Sequence, residues 1–318
     1  MSLKEDLKIT KKNITSAIVL SAGLSERLRP LSLLRPKPLF PVLNQPMLLY
    51  WLKKLQALGV RKVIVNVHYL GNMIKSFLDN SRGFFPDMEI IVSEEDLVLG
   101  TGGGLKQARN NFDGPFLAVN SDIYTDFPLE NFIDFHFQKK NQLTMAVLDY
   151  PEKATVSIAD ERILGFREPQ RLPGEKQKLC GAGLMILDPE VLDAYPSGKS
   201  DIVDQLNLLI PKGIKILAYH PDEPFFWTDI GNPHDYFCLN QYLAKGRHFI
   251  QEGVRLEGMC SGFLVAEAGA YVAPGAFVQD CILWENAVVE DGAHLESMIV
   301  AGRALASVKL IGGVITGV

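Results

Sequence analysis

Two positive side chains stand close together in a stretch rich in small residues and proline: Arg27 in Ser21-Ala22-Gly23-Leu24-Ser25-Glu26-Arg27, and Lys37 in Arg35-Pro36-Lys37-Pro38. The stretch begins where an apolar run, Ala17 to Leu20, reads as a buried strand. A small-residue loop after a first strand lets backbone N–H groups close on a phosphate. The guanidinium and the ammonium then add charge to a loop already shaped for anions, which is the chemistry of nucleoside triphosphate handling. No Gly-Lys-Ser/Thr follows, so this is not a Walker loop. GxGxxG is absent too, and prolines occupy the place where a Rossmann helix would start. Asp122 closes the run Phe116–Val119 in Val119-Asn120-Ser121-Asp122. A carboxylate at a strand's carboxyl end suits Mg²⁺, which takes few carboxylates together with phosphate oxygens and water. A second glycine-rich run, Leu99 to Gly104, opens a helix. Its backbone at Gly102 and Gly103 can approach a ligand closely at a positive helix end, although three consecutive glycines also make a flexible connector.

The elements that would position these groups follow from hydrophobic patterning. Strands are predicted at Ala17–Leu20, Lys62–Val67, Met88–Val92 and Phe116–Val119, with helices at Met47–Leu58, Gly71–Leu78, Leu105–Asn110 and Pro233–Ala244. Strand–helix alternation with continuous apolar strands predicts a parallel sheet covered on both faces. Ligands in such sheets bind at the carboxyl ends of the strands, so the first loop, Glu94–Gly104 and Asn120–Asp122 should share one edge. After Lys245 the pattern changes. Val272 and Val278 keep a six-residue rhythm, as do Val289 and Leu295, with Leu283 one place out of step with the first pair, and Gly269 and Gly275 repeat at the same interval. A hexapeptide period predicts a parallel β-helix of about three coils.

Gly23-Leu24-Ser25-Glu26-Arg27 and Pro36-Lys37-Pro38 resemble the Gly-x-Gly-Thr-Arg loop, Pro and Lys-Pro pair of the sugar-1-phosphate nucleotidyltransferases, or NDP-sugar pyrophosphorylases. The resemblance extends over roughly residues 1 to 240. It implies an α/β fold: a Rossmann-like nucleotidyltransferase domain with a mainly parallel sheet over residues 1–245, then a short left-handed β-helix over residues 254–318. It also implies roles. Ala22, Gly23, Leu24 and Ser25 would cradle the nucleotide, Arg27 and Lys37 would hold the triphosphate during transfer, and Leu99–Gly104, with Gly102 and Gly103, would face base and ribose. Asp122 and Asp229, the latter in Trp227-Thr228-Asp229-Ile230-Gly231, match the family's two metal aspartates, although Asp229 is equally placed to cap the following helix. On the sugar side the resemblance assigns Glu168, in Phe166-Arg167-Glu168-Pro169, and Gly183, in Gly181-Ala182-Gly183. The chain departs from the family pattern at Ser25, Glu26 and Ser121, and Arg167 replaces the lysine of Glu-Lys-Pro, an exchange that swaps a point charge for a planar fork.

The implied activity is Mg²⁺-dependent transfer of a nucleotidyl group from an NTP to a sugar 1-phosphate. Leu99–Gly104 and Val65-Asn66-Val67-His68 are most similar to guanylyl and uridylyl members, pointing to GTP and a mannose- or heptose-type 1-phosphate. Uridylyl or thymidylyl transfer is the enzymatic alternative, and a catalytically inactive paralogue that binds a nucleotide-sugar and regulates a partner is the other. Survival of Arg27, Lys37, Asp122 and Asp229 together favours the enzyme. Arg29 and Arg35 read as solvated charge and His68 as a structural hydrogen bond, and a lone His294 does not make an acyltransferase.

Composition sets the remaining bounds. The 318 residues, 47% hydrophobic and 22% charged, describe one large and one small packed domain. A net charge of −5 argues against a nucleic-acid or anionic-membrane surface. Cys180, Cys238, Cys260 and Cys281 have no metal or disulfide spacing and read as free thiols. Met1–Lys12 lacks the apolar core of a signal peptide, and no run of 18 apolar residues spans a membrane. These readings point to a cytoplasmic enzyme, with a partly apolar coil face suited to homo-oligomer contacts.

Overall fold

The computed structural model describes residues 14–317. The polar segment Met1–Lys12, read above as no signal peptide, lies outside them. The first strand, Ser16–Leu20, sends Ala17 and Val19 into one core and Ile18 into another. Burial on both faces is why this strand reads as a continuous apolar run rather than an alternating one. It pairs in parallel with Lys62–Val67 on one side and Phe116–Asn120 on the other, and Glu89–Glu94 extends the parallel set. Helices Met47–Ala57 and Gly71–Ser81 cover one face through Trp51, Leu52, Leu55, Ile74 and Leu78. Helices Gly100–Ala108 and Ile202–Leu209 cover the other through Leu105, Ala108, Leu206 and Leu209. Full burial of each large apolar side chain contributes about 1.5–3 kcal/mol, so both layers hold the carboxyl edge of the sheet rigid.

The sheet has nine strands, in the order Glu89–Glu94, Lys62–Val67, Ser16–Leu20, Phe116–Asn120, Gln177–Leu187, Leu143–Leu148, Ile216–Tyr219, Arg162–Phe166 and Val156–Ala159. The parallel arrangement expected from the alternation occupies the first four strands. Beyond them the sheet is mixed: Gln177–Leu187 runs antiparallel to both neighbours, and Val156–Ala159 with Arg162–Phe166 forms an antiparallel pair. That pair is joined by a tight turn with Asp160 in the left-handed region at φ 52°, and a hairpin needs no helical crossover.

From His248 onward the strands stack in two parallel sheets. Phe277 pairs with His294, and Val278 with Leu295, one coil further along. Val272, Val278, Val289 and Leu295 all point into one interior core, and so does Leu283. Its apparent misstep has a local cause. Asp280 sits at φ 51° within Phe277–Leu283, and Ser297 at φ 54° within His294–Val300; each turns the chain at a corner and resets which side chains face inward. His248–Ile250 pairs in parallel with the end of the strand Met259–Ala266. A further core joins the coils to the sheet domain, combining Leu31, Phe40 and Tyr236 with Phe263, Ile282 and Trp284. All four cysteines are free. Among the described residues no helix is long and apolar enough to cross a membrane.

Candidate active site

The loop after the first strand folds into a concave wall. Ala22, Gly23, Leu24, Ser25 and Arg27 line a cavity of about 500 Å³ together with Lys37, Asn120, Ser121 and Asp122, at the carboxyl edge of the parallel strands. That volume suits a bound small molecule. Ser25, where the family pattern carries glycine, holds φ 53° and ψ 41° in the left-handed region, a conformation that disfavours an L side chain by about 1–2 kcal/mol. The backbone path is thus kept without the glycine.

Two residues outside the motif stiffen this wall. Asn66 accepts from the Ser21 N–H at 2.7 Å and donates to Glu95 Oε1 at 2.8 Å, while Glu95 Oε2 accepts from the Leu99 N–H at 2.9 Å. Both side chains are buried, so the relay ties the start of the first loop to the opposite wall at Val98, Gly100 and Thr101. Their only sequence signal is a polar residue in the apolar run Val65-Asn66-Val67. His68 makes the structural contact expected of it, with Nδ1 2.8 Å from the Glu95 carbonyl.

The second glycine run opens a helix as expected and reaches the cavity at Gly100 and Thr101, but its inner glycines are placed differently. Its residues form the first turns of the helix Gly100–Ala108, which begins five residues ahead of Leu105. Gly102 and Gly103 do not line the cavity. Their N–H groups both donate to the Ser200 carbonyl, at 2.9 and 3.2 Å, and a Cβ on Gly103 would lie 2.3 Å from the Gly198 carbonyl oxygen. These glycines let the segment 198–201 lie directly on the helix.

Asp122 lies in the turn just before the strand Ile123–Thr125, and Asp229 ends the strand Trp227–Asp229. Ile123–Thr125 and Trp227–Asp229 pair antiparallel, and the Ile230 N–H donates to the Asp122 carbonyl at 3.0 Å. Asp122 Oδ2 accepts from Lys37 Nζ, whereas Oδ1 is buried with no hydrogen-bond partner among the described residues. Asp229 Oδ1 accepts from Lys153 Nζ at 2.5 Å. Asp229 is not the cap of the following helix: Asn232 is, its Oδ1 accepting from the Asp235 N–H at 2.9 Å. Around Gly231, a Cβ would meet Asp235 Oδ2 at 3.0 Å, Asp229 Oδ2 at 3.6 Å and Arg27 Nη1 at 3.7 Å, so the arginine and the second aspartate converge there. Arg27 itself is exposed and has no ion-pair partner among the described residues. Among those residues, no three His, Cys, Asp or Glu side chains gather as a self-sufficient metal cage. The orphaned Asp122 oxygen in the cavity wall fits a hard cation that completes its shell with phosphate and water, while Asp229 does not line the cavity.

Lys153 stands in no sequence motif. Burial lowers its pKa, but the hydrogen bond and charge of Asp229, with Tyr150 and Asp235, outweigh this and leave it above the ordinary lysine value. Its ammonium lies 5.4 and 5.6 Å from the ring centres of Tyr150 and Trp227. Arg167 is turned elsewhere, to Asp201 at 3.4 Å and Asp204 at 3.5 Å. Glu168 and Gly183 do not line the cavity. Glu168 sits just past the Arg162–Phe166 strand, its carbonyl accepting from Lys178 Nζ at 2.7 Å. Gly183, at φ 73°, lies against Asn120: a Cβ there would be 3.0 Å from Asn120 Nδ2, so its lack of a side chain leaves that cavity residue its place.

A parallel sheet with a small-residue loop after its first strand, cations on that loop and carboxylates at the ends of two paired strands defines a nucleotide-handling transferase. Residues 16–246 match the nucleotidyl transferase family, and the chain belongs to it. A probable mannose-1-phosphate guanylyltransferase 2 of Oryza sativa subsp. japonica is 31% identical over 295 residues, covering 88% of this chain and 79% of its own. HddC from Yersinia pseudotuberculosis, solved with GMP-PN, superposes with a TM-score of 0.60 at 22% identity over 72% of this chain and 100% of its own. A UDP-glucose pyrophosphorylase solved with UDP-glucose gives 0.62 at 16% identity, over 74% and 100%. These two solved structures share the fold.

Proposed function

We propose that this protein transfers a guanylyl group from GTP to a mannose- or heptose-type sugar 1-phosphate in a Mg²⁺-dependent reaction that releases pyrophosphate. The observation that carries this reading is the gathering of Ala22–Ser25, Arg27, Lys37 and Asp122 on one cavity, with Asp229 on the adjoining strand. The base and sugar rest on the relative named above, a probable mannose-1-phosphate guanylyltransferase. Uridylyl or thymidylyl transfer is the nearest alternative.

In the reaction an oxygen of the sugar 1-phosphate attacks the α-phosphorus in line. The new O–P bond forms as the bond to the bridging oxygen breaks, and pyrophosphate carries off the electron pair. Such chemistry needs alignment and positive charge, not a protein nucleophile. Asp122 and Asp229 would hold Mg²⁺, which supplies neutralisation of the phosphate oxygens when bound. The backbone of Ala22–Ser25 cradles the triphosphate, and Arg27 and Lys37 stabilise the charge that develops on it. Arg167 is turned toward Asp201 and Asp204, whereas Lys153 stands on Asp229, and we assign it to the phosphate of the sugar 1-phosphate in place of the missing lysine. Glu168 and Gly183 belong to the sugar side, while Gly102 and Gly103 act on the nucleotide wall only through the packing of their helix.

The reading extends to the whole chain: a catalytic domain over residues 1–245 and a left-handed β-helix over 254–318, through which copies associate in the cytoplasm. The stacked parallel coils support the β-helix. The test is pyrophosphate release from each NTP against a panel of sugar 1-phosphates, with Mg²⁺ and with EDTA. Release with GTP and one sugar, lost on chelation, is expected. Silence across the panel, with tight binding of a finished nucleotide-sugar, would establish the inactive regulatory paralogue instead.

A further inference from the structure

Arg35 is not the solvated charge that its sequence context suggests. Its side chain is only 15% exposed. Nη1 donates to both oxygens of Glu267, at 2.9 and 2.8 Å, and Nη2 lies 3.8 Å from Glu285 Oε2. The guanidinium also sits 4.6 Å from the ring centre of Trp284. These three partners belong to two successive coils: Glu267 follows the strand Met259–Ala266, and Trp284 and Glu285 follow Phe277–Leu283. The coils are themselves cross-tied there, because the Glu285 N–H donates to Glu267 Oε2 at 3.1 Å.

Five residues further on, the same segment is anchored again. Phe40 meets Trp284 edge-on, with ring centres 5.0 Å apart, and Tyr236 donates its hydroxyl hydrogen to the Pro41 carbonyl at 2.7 Å while accepting from Trp284 Nε1 at 3.1 Å. Lys37 lies between these two anchors, two residues beyond Arg35. Local support for the intervening chain is slight: one turn of helix at Leu31–Leu34 and a single 3₁₀ turn at Lys37–Leu39. Segments this short are not self-sustaining, so the coils supply what local structure does not.

We infer that the coil stack is a positioning element for the transfer reaction, with Glu267 clamping Arg35 and thereby fixing Lys37 against the cavity. Glu267 and Arg35 are positioning residues and touch no reactant; the role of Lys37 rests on the function proposed above. The inference predicts that loss of the Glu267 clamp reaches the active site through the segment 30–40.

The first measurement needs no substrate: hydrogen exchange in the intact chain carrying Glu267→Gln, against the unmodified protein. Amides of Arg35, Leu39 and Phe40 should exchange about tenfold faster or more, while those of Lys62–Val67 stay unchanged, as expected of a local opening. Arg35→Gln should do the same, and Glu267→Asp should restore most of the protection. The second measurement is kinetic. Glu267→Gln should lower kcat about tenfold with smaller changes in KM, and should add little in a Lys37→Ala background, because groups acting through one another are not additive. Unchanged exchange in segment 30–40 overturns the inference, and so do fully additive losses with Lys37→Ala. A loosened segment in a protein whose unmodified form releases no pyrophosphate would refute the transfer reading while leaving the coil-to-segment clamp in place.

Discussion

Asp122 has one carboxylate oxygen committed to Lys37 and the other buried without a partner, an arrangement that a folded protein tolerates where a ligand completes it. Asp122→Asn keeps the shape and removes the charge. Turnover should fall at least about a hundredfold, the scale on which single electrostatic groups act in such sites, with a cooperative melting transition retained. Normal pyrophosphate release from that variant would remove Asp122 from the reaction. Lys153 allows a sharper test, because the role proposed for it concerns one substrate only. A charge-assisted hydrogen bond to phosphate contributes about 1.5–3 kcal/mol. Lys153→Met should therefore raise the KM for the sugar 1-phosphate roughly ten- to hundredfold, since 1.4 kcal/mol is a factor of ten, and leave the KM for the NTP near its starting value. Equal effects on both substrates would place Lys153 at the shared metal and phosphate centre instead.

The helix Gly100–Ala108 shows why a motif and its element must be read together. Gly100, Gly102, Gly103 and Gly104 all stand in its first turns, and each glycine disfavours a helix by about 1 kcal/mol relative to alanine, so something outside the helix must compensate. For Gly100, Gly102 and Gly103 that partner is the segment 198–201, whose backbone lies where side chains would stand, and for Gly104 it is the Asn66 and Glu95 side chains. Gly103→Ala gains helix propensity but drives a Cβ to 2.3 Å from the backbone oxygen of Gly198. Overpacking of this kind destabilises by about 1–3 kcal/mol, and backbone on the far side cannot swing away as a flexible side chain would. A lower urea midpoint is expected; an increase would show that propensity, not packing, decides this helix.

At the scale of the whole molecule, stability should carry an acid limb from the sheet domain. His136, on the helix Leu129–Lys139, is 1% exposed, with Nδ1 2.8 Å from Thr144 Oγ1. Burial pushes its pKa down from 6.5 to about 4. With His136 neutral, the 3.9 Å approach of Asp188 is not an ion pair, and burial raises the Asp188 pKa as well. Because the folded value lies below the unfolded one, the contribution is complete above pH 6.5 and is lost as pH falls through about 4. The interval is equivalent to about 3 kcal/mol. Urea midpoints measured from pH 7 to pH 4 should fall through this window, and His136→Gln should flatten that part of the curve. A wild-type profile with no such slope would mean that His136 takes up its proton within the fold.

Local sequence by itself determined the parallel half of the sheet, the parallel stacking of the later strands, and the cavity group of Ala22–Ser25, Arg27, Lys37 and Asp122. The physical reason is that each of these is written in short-range order: apolar runs mark strands buried on both faces, and the loop residues follow the strands that present them. Leu283 belongs with these, since its offset from the six-residue rhythm records a corner at Asp280. Tertiary structure alone decided the rest. Gly102 and Gly103 look like a ligand loop until the segment 198–201 is laid against them. Arg35 looks solvated until two coils more than two hundred residues away close over it, and Lys153 looks ordinary until Asp229 arrives on a neighbouring strand. In each case the partner is remote in sequence, and no local pattern encodes a contact whose other half is specified only when the chain has folded.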